Sequence, residues 1–275
     1  MITPYLIFTD LDGTLLDHYS YESESALPML QVLKARDIPV IINTSKTFFE
    51  VIDIAEQLAL NAPLITENGA ACYFPNAIAE ELNSSQLEHS PHQGFMRKVF
   101  THPHQHWVGL LNRVAGNYKG CFKSFSTLGI NGIQELTGLT RKNASKAAQR
   151  EFGEPVAWLG NDEQKHRFIK QLESMGASPV EGGRFIHICG DCNKGMAMQW
   201  LTKLYADHLD SEPTTVALGD GKNDIAMLEK ADIAVRVLSP VHTPPALTRS
   251  DRVYTTQAFG PAGWAEALSK LLTLD

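Results

Sequence analysis

The sequence predicts an α/β protein whose core is a doubly wound parallel sheet that carries an inserted α+β domain. The first reason is that apolar segments of strand length alternate with segments of helical length in both terminal parts of the chain. This alternation is typical of parallel strands joined by right-handed crossovers. The second reason is that the alternation stops in the middle third. We therefore predict a core of residues 1–83 and 189–275 and an inserted domain of residues 84–188.

The first three predicted strands are apolar runs that end at polar residues. They cover residues 5–8, 38–42 and 63–66, and their bulky and β-branched side chains suit strands that are buried on both faces. Residues 25–36 have the apolar spacing of an amphipathic helix, and a second helix is predicted at residues 47–60. In such a sheet, ligands bind beyond the carboxyl ends of the strands. The polar residues at these ends are therefore candidates for a functional site.

In the middle third, the sequence predicts helices at residues 141–152 and 163–175 around a short strand at residues 156–159. It opens with a segment rich in His and Gln that shows no clear periodicity. The histidines of the middle third are His89, His92, His102, His104, His106 and His166. Their irregular spacing favours solvated side chains over a metal site, which stays the alternative.

The strand and helix alternation resumes in the last third. Predicted strands cover residues 183–188, 214–218, 233–237 and 252–254. Predicted helices begin at Lys194, at Ile225 and near Gly263. The two terminal parts of the chain therefore contribute strands to one sheet.

Composition and charge exclude several classes of protein. The chain has 275 residues, of which 43% are hydrophobic, and a formal net charge of −7. Nucleic-acid binding rests on clustered Lys and Arg, so no nucleic-acid partner is expected. No apolar run approaches the roughly 18 residues of a membrane span, and the first residues lack a basic leader. We therefore expect a cytoplasmic protein with no membrane partner, and its oligomeric state is left open.

Four cysteines do not make a disulfide framework in a chain of this length. Cys189 and Cys192 match the C-x-x-C pattern of redox pairs and zinc sites. No second cysteine pair or nearby histidine pair completes a zinc site, and the pattern does not open a thioredoxin-type helix. We expect all four to be ordinary thiols.

Asp10 and Asp12 follow the first predicted strand and are followed by Gly13 and Thr14. In an extended segment, side chains two residues apart point the same way, so the two carboxylates face one space. Two anions this close repel each other unless a cation lies between them, and oxygen ligands suit Mg²⁺. An Asp-rich turn is the ordinary alternative for this motif alone.

Three further motifs follow other predicted elements. Thr44 and Ser45 follow the second strand, Lys194 opens a helix, and the run from Gly219 to Asp224 follows a later strand. Each motif alone is explained by a turn, a helix cap or a surface lysine. Together, at strand ends and in this chain order, the four motifs predict phosphoryl transfer to a carboxylate.

Each motif then has a predicted role. Asp10 attacks phosphorus to form an aspartyl-phosphate, and Asp12 acts as general acid and then general base. Asp220 holds Mg²⁺ together with Asp10 and the backbone carbonyl of Asp12. The remaining predicted residues support the metal or bind the phosphoryl oxygens: Asp224 and Asn223 beside the metal, and Thr44, the Ser45 amide, Lys194 and Asn223 at the phosphate.

These four motifs resemble those of the haloacid dehalogenase superfamily of phosphatases, which have a Rossmann-like core. The insertion is similar to the large C2-type cap of the Cof-type branch. Three stretches resemble the mannosyl-3-phosphoglycerate phosphatase family: residues 42–47 (INTSKT), 150–155 (REFGEP) and 182–187 (GGRFIH). The resemblance implies Mg²⁺-dependent hydrolysis of mannosyl-3-phosphoglycerate, a phosphorylated sugar acid, to mannosylglycerate and phosphate.

A substrate with a carboxylate beside a phosphate needs fixed cations and sugar-binding groups. The candidates are Lys46, Asn68, Arg150, Glu154, Arg184 and His187. For the last four of these, a salt bridge within the domain or a solvated charge is an equally good alternative. Alternative functions are a phosphatase for glucosyl-3-phosphoglycerate, sucrose phosphate or a hexose phosphate, and a phosphosugar mutase. A non-enzymatic phospho-acceptor module is disfavoured because it needs neither Asp12 nor a large insertion. No P-loop motif is present.

Overall fold

The computed structural model describes residues 4–182 and 184–272, which form thirteen strands and ten α-helices. The strands are β1 (Tyr5–Thr9), β2 (Val40–Asn43), β3 (Leu64–Thr66), β4 (Ala71–Pro75), β5 (Glu88–His89), β6 (Phe95–Val99), β7 (Phe122–Ser124), β8 (Glu154–Trp158), β9 (Val180–Gly182), β10 (Phe185–Ile188), β11 (Thr214–Gly219), β12 (Ile233–Leu238) and β13 (Val253–Phe259). The helices are α1 (Leu27–Ala35), α2 (Phe48–Gln57), α3 (Asn76–Leu82), α4 (His104–Val114), α5 (Phe125–Thr137), α6 (Arg141–Ala147), α7 (Asp162–Ser174), α8 (Lys194–Leu209), α9 (Ile225–Lys230) and α10 (Gly260–Leu271).

The larger sheet has nine strands in the order β13-β12-β11-β1-β2-β3-β4-β6-β5. The six strands from β13 to β3 are parallel, and Ile7 of β1 pairs with Val216 of β11 and with Val40 of β2. The carboxyl ends of these strands therefore meet at one edge of the sheet. The predicted doubly wound parallel core is confirmed.

Both faces of this sheet are buried, which explains its apolar strands. Ile7 packs into a cluster with helices α1, α2 and α10, whereas Leu6 and Phe8 pack into a second cluster with α3, α8 and α9. Successive residues of a strand point to opposite faces, so each strand contributes to both clusters. A fully buried Leu or Phe side chain contributes about 1.5–3 kcal/mol, so the two clusters hold the strands and their carboxyl ends in place.

The strands β4, β6 and β5 extend the larger sheet by antiparallel pairing. The predicted inserted domain begins at residue 84 and so includes β5 and β6. By sheet membership, these two strands lie in the core, because Tyr73 of β4 pairs with Arg97 of β6. We propose that the inserted unit, called the cap below, spans residues 100–188.

The cap contains a four-stranded sheet in the order β7-β8-β10-β9, and its neighbouring strands are antiparallel. One face packs on α4 and α7 through a cluster that includes Trp107, Phe168 and Ile186. The predicted α+β character is confirmed. Helix α4 was not predicted, because its first turn is rich in His and its apolar residues begin only at Trp107.

The histidines of the middle third divide into two groups. His89, His102, His106 and His166 are exposed, as expected for solvated side chains. His92 and His104 are partly buried, and each lies within 2.8 Å of a glutamate oxygen. The predicted solvation is therefore wrong for these two.

All four cysteines are free, as predicted. Within residues 4–182 and 184–272, no helix has the length and hydrophobicity that crossing a membrane requires.

Candidate active site

Asp10 lies at the carboxyl end of β1, where the sequence places it. Its amide donates to the carbonyl of Leu218 at 2.9 Å, which extends the pairing of β1 with β11. The turn that follows contains Gly13 with φ of 78°, and a Cβ atom there would lie 2.6 Å from Oδ2 of Asp220. Only glycine fits both the left-handed backbone and this close approach. The first motif is thereby packed directly against the motif that follows β11.

The loop after β11 is held by Asp224. Its Oδ2 accepts hydrogen bonds from the amides of Asp220 at 3.0 Å and of Gly221 at 2.9 Å. The hydroxyl of Thr14 donates to Oδ1 of Asp220 at 3.2 Å. These bonds orient the Asp220 carboxylate toward Asp10, from which it is separated by more than two hundred residues of chain.

Lys194 is the first residue of α8, and its side chain is 0% exposed. Its Nζ lies 2.7 Å from Oδ1 of Asp10 and 2.7 Å from Oδ1 of Asp224. Burial alone would lower the pKa of Lys194, but the two carboxylates raise it to about 12. The residue is therefore a cation at neutral pH. The amide side chain of Asn43 donates to the Lys194 carbonyl at 3.0 Å, which fixes the start of the helix on β2.

The carboxylates of the site outnumber its buried cation. Ligand oxygens of Asp10, Asp220 and Asp224 all lie within 4.8 Å of one another. Burial, and then the neighbouring carboxylates, raise the pKa of Asp220 to about 8. Burial and Asp224 raise the pKa of Asp10 to about 6, against the opposing effect of Lys194. A divalent cation with oxygen ligands fits this excess of negative charge.

The oxygens of Asp224 are both engaged, one by Lys194 and the other by two backbone amides. Asp10 and Asp220 are therefore the candidates for direct metal ligands. Asp224 fixes the loop that carries Asp220, and its predicted support of the metal through water or Asn223 stays a prediction.

Thr44 and Lys46 lie in the turn that follows β2. The amide of Lys46 donates to the hydroxyl of Thr44 at 3.3 Å, and the amide of Asn68 donates to the Thr44 carbonyl at 2.9 Å. The Nζ of Lys46 lies 2.8 Å from Oδ2 of Asp12. The turn after β2 is thus tied both to the turn after β3 and to the first motif.

Asn68 and Asn223 meet where the core faces the cap. The Nδ2 of Asn223 donates to Oδ1 of Asn68 at 3.1 Å. A Cβ atom on Gly182 in β9 would lie 3.3 Å from Cγ of Asn223 and 3.5 Å from Cδ2 of His187. The cap strands β9 and β10 therefore lie directly over the catalytic edge of the larger sheet.

His187 faces this junction. Its neighbours Ile186 and Ile188 point into the apolar cluster of the cap, so His187 points to the opposite face of the cap sheet. Burial, followed by the positive charges of Arg150 and Lys194, lowers the pKa of His187 to about 3. The imidazole is therefore neutral. Its Nδ1 and the Nδ2 of Asn68 are buried and have no hydrogen-bond partner among the described residues.

Three of the predicted substrate residues have other partners. Glu154 is fully buried and lies 2.6 Å from Nε2 of His104, and it accepts a hydrogen bond from the amide of Ser126 at 2.8 Å. Arg184 is exposed and donates to the carbonyls of Leu136 and Thr137, both at 3.3 Å. These contacts give Glu154 and Arg184 a structural role within the cap, and their role at a substrate stays a prediction.

Arg150, the third, is buried between the cap and the core. Its guanidinium donates to the carbonyls of Gly153 at 2.9 Å and Ser45 at 3.0 Å, and it lies 3.2 Å from Oε2 of Glu67. Nε and Nη2 of Arg150 therefore donate to protein acceptors, and its role at a substrate carboxylate stays a prediction. Ser45 belongs to the predicted phosphate-binding turn. Arg150 therefore contacts this turn through the Ser45 carbonyl, whereas the predicted phosphate ligand is the Ser45 amide.

Four residues of the site were not predicted: Thr14, Asn43, Glu67 and His242. Thr14 and Asn43 lie inside motifs that were identified, so their neighbours in sequence were a usable signal. The Nε2 of His242 lies 3.2 Å from Oδ2 of Asp220. His242 belongs to an irregular segment after β12, and no local pattern indicates its contact.

Comparison with known proteins agrees with this geometry. A family model described as haloacid dehalogenase-like hydrolase matches residues 7–239. The chain is 16% identical to a Thermoplasma acidophilum protein over 98% of both chains, with a TM-score of 0.69. It is 18% identical to the sucrose-phosphatase of Synechocystis, solved with sucrose and phosphate, over 98% of both chains, with a TM-score of 0.61.

A third similar structure is a protein from Bacteroides thetaiotaomicron that was analysed among phosphatases of the haloalkanoate enzyme superfamily. The identity is 17%, the alignment covers 98% of this chain and 95% of that chain, and the TM-score is 0.67. At these identities the likeness shows the fold. The predicted α/β core with an inserted C2-type cap is thereby confirmed.

Proposed function

Because the chain belongs to the haloacid dehalogenase-like hydrolase family, we propose that it is a Mg²⁺-dependent phosphatase that hydrolyses mannosyl-3-phosphoglycerate to mannosylglycerate and phosphate. Membership confirms the predicted superfamily and its Cof-type branch, and the mannosyl-3-phosphoglycerate phosphatase family stays a prediction. One observation carries the proposal of a phosphatase. It is the buried cluster in which Lys194 bridges Asp10 and Asp224 beside Asp220.

Asp10 is the proposed nucleophile. Lys194 binds its Oδ1, so we assign the attack on phosphorus to Oδ2. A bond forms from Oδ2 to phosphorus as the bond from phosphorus to the substrate oxygen breaks. Water then attacks the aspartyl-phosphate, which releases inorganic phosphate and restores the carboxylate of Asp10. The ion pair with Lys194 favours the charged form of Asp10 that this step requires.

Asp12 is the proposed general acid and base. Its Oδ2 is paired with Lys46, whereas its Oδ1 is buried and has no hydrogen-bond partner among the described residues. Oδ1 is therefore the oxygen through which Asp12 would transfer a proton. Asp12 gives this proton to the departing substrate oxygen and takes one back from the attacking water.

Asp10 and Asp220 would hold Mg²⁺, which when bound offsets the repulsion between a carboxylate nucleophile and a phosphate. Lys194, the hydroxyl of Thr44 and the amide of Ser45 would bind the phosphoryl oxygens. Preorganised donors of this kind each contribute about 10²- to 10³-fold to rate in other enzymes. Asn223, which contacts Asn68, is the remaining predicted phosphate ligand, and we propose that it lies at the boundary between phosphate and sugar.

The substrate class follows from the groups that face the junction of core and cap. Lys46 supplies a cation beside Asp12, and it would attract the glycerate carboxylate. Burial alone would lower the pKa of Lys46, but Asp12 and Glu50 raise it above its usual value. Asn68 and His187 offer buried nitrogen atoms that have no hydrogen-bond partner within residues 4–182 and 184–272, and such atoms suit the hydroxyl groups of a sugar.

A panel of phosphate-release assays tests this proposal. It contains mannosyl-3-phosphoglycerate, glucosyl-3-phosphoglycerate, sucrose phosphate and simple hexose phosphates, each with Mg²⁺ and with a chelator. We expect the highest kcat/KM for mannosyl-3-phosphoglycerate and loss of turnover on chelation. The Asp10→Asn variant, which removes the nucleophile, should lose at least about 10³-fold in kcat.

Each part of the proposal has its own contrary result. Faster turnover of hexose phosphates would refute mannosyl-3-phosphoglycerate as the substrate, but it would still agree with a phosphatase activity. Transfer of the phosphate to another position of the substrate, without release, would indicate a mutase. Full activity of Asp10→Asn would refute the mechanism.

A further inference from the structure

Arg150 connects the cap to the turn that follows β2. Its side chain is 4% exposed, and it lies between Glu67 and Ser45 of the core. The α6 helix was predicted to run to residue 152 but ends at Ala147. The chain after it leaves the helical path, and residues 150–153 pack on the core instead. Phe152 joins the apolar cluster of α1, α2 and α10.

Glu67 holds the segment of residues 150–153 in one position. Its Oε1 accepts from the amide of Glu151 at 2.9 Å, and its Oε2 accepts from the amides of Phe152 at 3.3 Å and Gly153 at 2.7 Å. The Glu67 carboxylate also lies 3.2 Å from Nε of Arg150. A buried guanidinium with this many fixed acceptors has one orientation, because moving it leaves buried charge unpaired.

The peptide between Ser45 and Lys46 accepts a hydrogen bond from this guanidinium. The Nη2 of Arg150 donates to the Ser45 carbonyl at 3.0 Å. The amide at the other end of the same peptide belongs to Lys46, and it donates to the hydroxyl oxygen of Thr44 at 3.3 Å. Since the peptide is planar, fixing its carbonyl also fixes its amide. Hydrogen bonds in such a chain also polarise one another.

The consequence concerns the proton of the Thr44 hydroxyl. The oxygen of this hydroxyl accepts a hydrogen bond from the Lys46 amide, so its proton is free to be donated elsewhere. Thr44 is buried, and it follows β2, whose Ile42 pairs with Thr9, the residue before Asp10. We place the phosphate at this end of the two strands. The series of hydrogen bonds from Arg150 through the peptide to Thr44 would therefore end with the Thr44 hydroxyl donating to the phosphoryl group.

We propose that Arg150 is a positioning residue that sets the orientation of the peptide between Ser45 and Lys46 and thereby aims the Thr44 hydroxyl at the phosphate. Arg150 itself contacts no part of the substrate. This inference deepens the proposed function, and it rests on that function for the location of the phosphate. It gives Arg150 a role different from that of the cap residues that would bind the sugar.

Two variants and two substrates test the inference. Arg150→Lys keeps a charge beside Glu67, but a single ammonium group cannot reach the three acceptors of the guanidinium together. Arg150→Met removes the charge. We expect kcat/KM to fall about 10- to 100-fold, and by the same factor, for mannosyl-3-phosphoglycerate and for p-nitrophenyl phosphate, which has neither sugar nor carboxylate.

Binding of inorganic phosphate in the presence of Mg²⁺, measured by calorimetry, should weaken in parallel. The matched control is Arg167→Met, because Arg167 is an exposed arginine of the same cap whose one ion pair among the described residues is with Glu163 at 3.5 Å. Its kcat/KM should stay unchanged. Affinity for Mg²⁺ should also be unchanged in the Arg150 variants, which shows that their core is folded.

A loss confined to mannosyl-3-phosphoglycerate would overturn the inference, because it would assign Arg150 to the substrate carboxylate or to cap closure alone. Unchanged activity on both substrates would overturn it as well. If the wild-type protein hydrolyses neither compound, the proposed function fails. Phosphate affinity then still decides the inference: equal affinity in wild type and Arg150→Lys refutes it, and weaker affinity in the variant supports it.

Discussion

The core and the cap use their charged residues differently. In the core, Asp10, Asp220 and Lys194 come from three distant segments and converge on one buried cluster. In the cap, Glu154 and Arg184 bind residues of the cap itself. The parallel sheet explains the difference. The carboxyl ends of its strands share one edge, so polar residues at these ends meet, and an antiparallel sheet imposes no such convergence.

His187, like Arg150, is a cap residue whose side chain faces the core. Strand alternation sends its side chain away from the cluster that holds Ile186 and Ile188, and toward the core. Its low pKa reflects burial near Arg150 and Lys194. The cap therefore contacts the carboxyl ends of the parallel strands through single side chains, whereas the core supplies a network of charged residues there.

Replacing Lys194 by Met should produce the largest effect, and it tests whether the core cluster acts as one unit. The change leaves the buried carboxylates of Asp10 and Asp224 without their cation. We expect at least about a 10²- to 10³-fold loss of kcat. We also expect the free energy of unfolding to fall by about 3–5 kcal/mol, as for other broken buried pairs.

Phosphate release and urea denaturation measure these two effects. Lys203→Met is the matched control, because Lys203 lies in the same helix, is exposed and pairs with Asp207 at 3.1 Å. It should change neither quantity appreciably. Activity of Lys194→Met within a few-fold of wild type would mean that the cluster is not the catalytic centre.

The parallel part of the fold was predictable from sequence because its strands are long apolar runs with polar ends. The antiparallel extension through β4 was not predicted, although a signal exists. Glu67, Asn68 and Gly69 all have positive φ and lie between two apolar runs, which is the setting of an Asn-Gly turn. A Cβ atom on Gly69 would also lie 2.3 Å from the carbonyl oxygen of Asn193, so glycine is required there.

The site was predictable where its residues follow strands or open a helix. Asp10 and Asp220 were identified by the first pattern and Lys194 by the second. Glu67 was missed because its partners are backbone amides more than eighty residues away, and backbone amides have no sequence signature. Arg150 was assigned to the substrate because sequence indicates a charge but not what neutralises it.

Glu154→Gln should have an intermediate effect, on stability rather than on chemistry. The carboxylate is buried, and it is bonded to His104 and to the amide of Ser126. Loss of its charge-assisted hydrogen bonds should lower the free energy of unfolding at pH 7 by about 1.5–3 kcal/mol. Turnover of mannosyl-3-phosphoglycerate below the unfolding temperature should stay close to that of wild type.

The same variant has a defined pH dependence. Burial would raise the pKa of Glu154, but the hydrogen bonds from His104 and Ser126 outweigh it and leave the pKa below the usual 4.5. Its contribution to stability is therefore full above pH 4.5 and is lost as the pH falls through the folded-state pKa. Urea denaturation at successively lower pH should show the two proteins converging. Loss of turnover without loss of stability would place Glu154 at the substrate and weaken the contrast between cap and core.

Arg184→Met should have the smallest effect, and it is the sharpest test of that contrast. Arg184 is exposed, and its guanidinium lies at the carboxyl end of α5, where it donates to the carbonyls of Leu136 and Thr137. A cation at this end of a helix stabilises by about 0.3–1 kcal/mol, and solvent screening puts Arg184 at the lower end. The kcat/KM for mannosyl-3-phosphoglycerate should change by less than about twofold. A tenfold or larger rise in KM for this substrate, with unchanged hydrolysis of p-nitrophenyl phosphate, would instead show that Arg184 binds the glycerate carboxylate and that the cap, like the core, brings distant charges to the site.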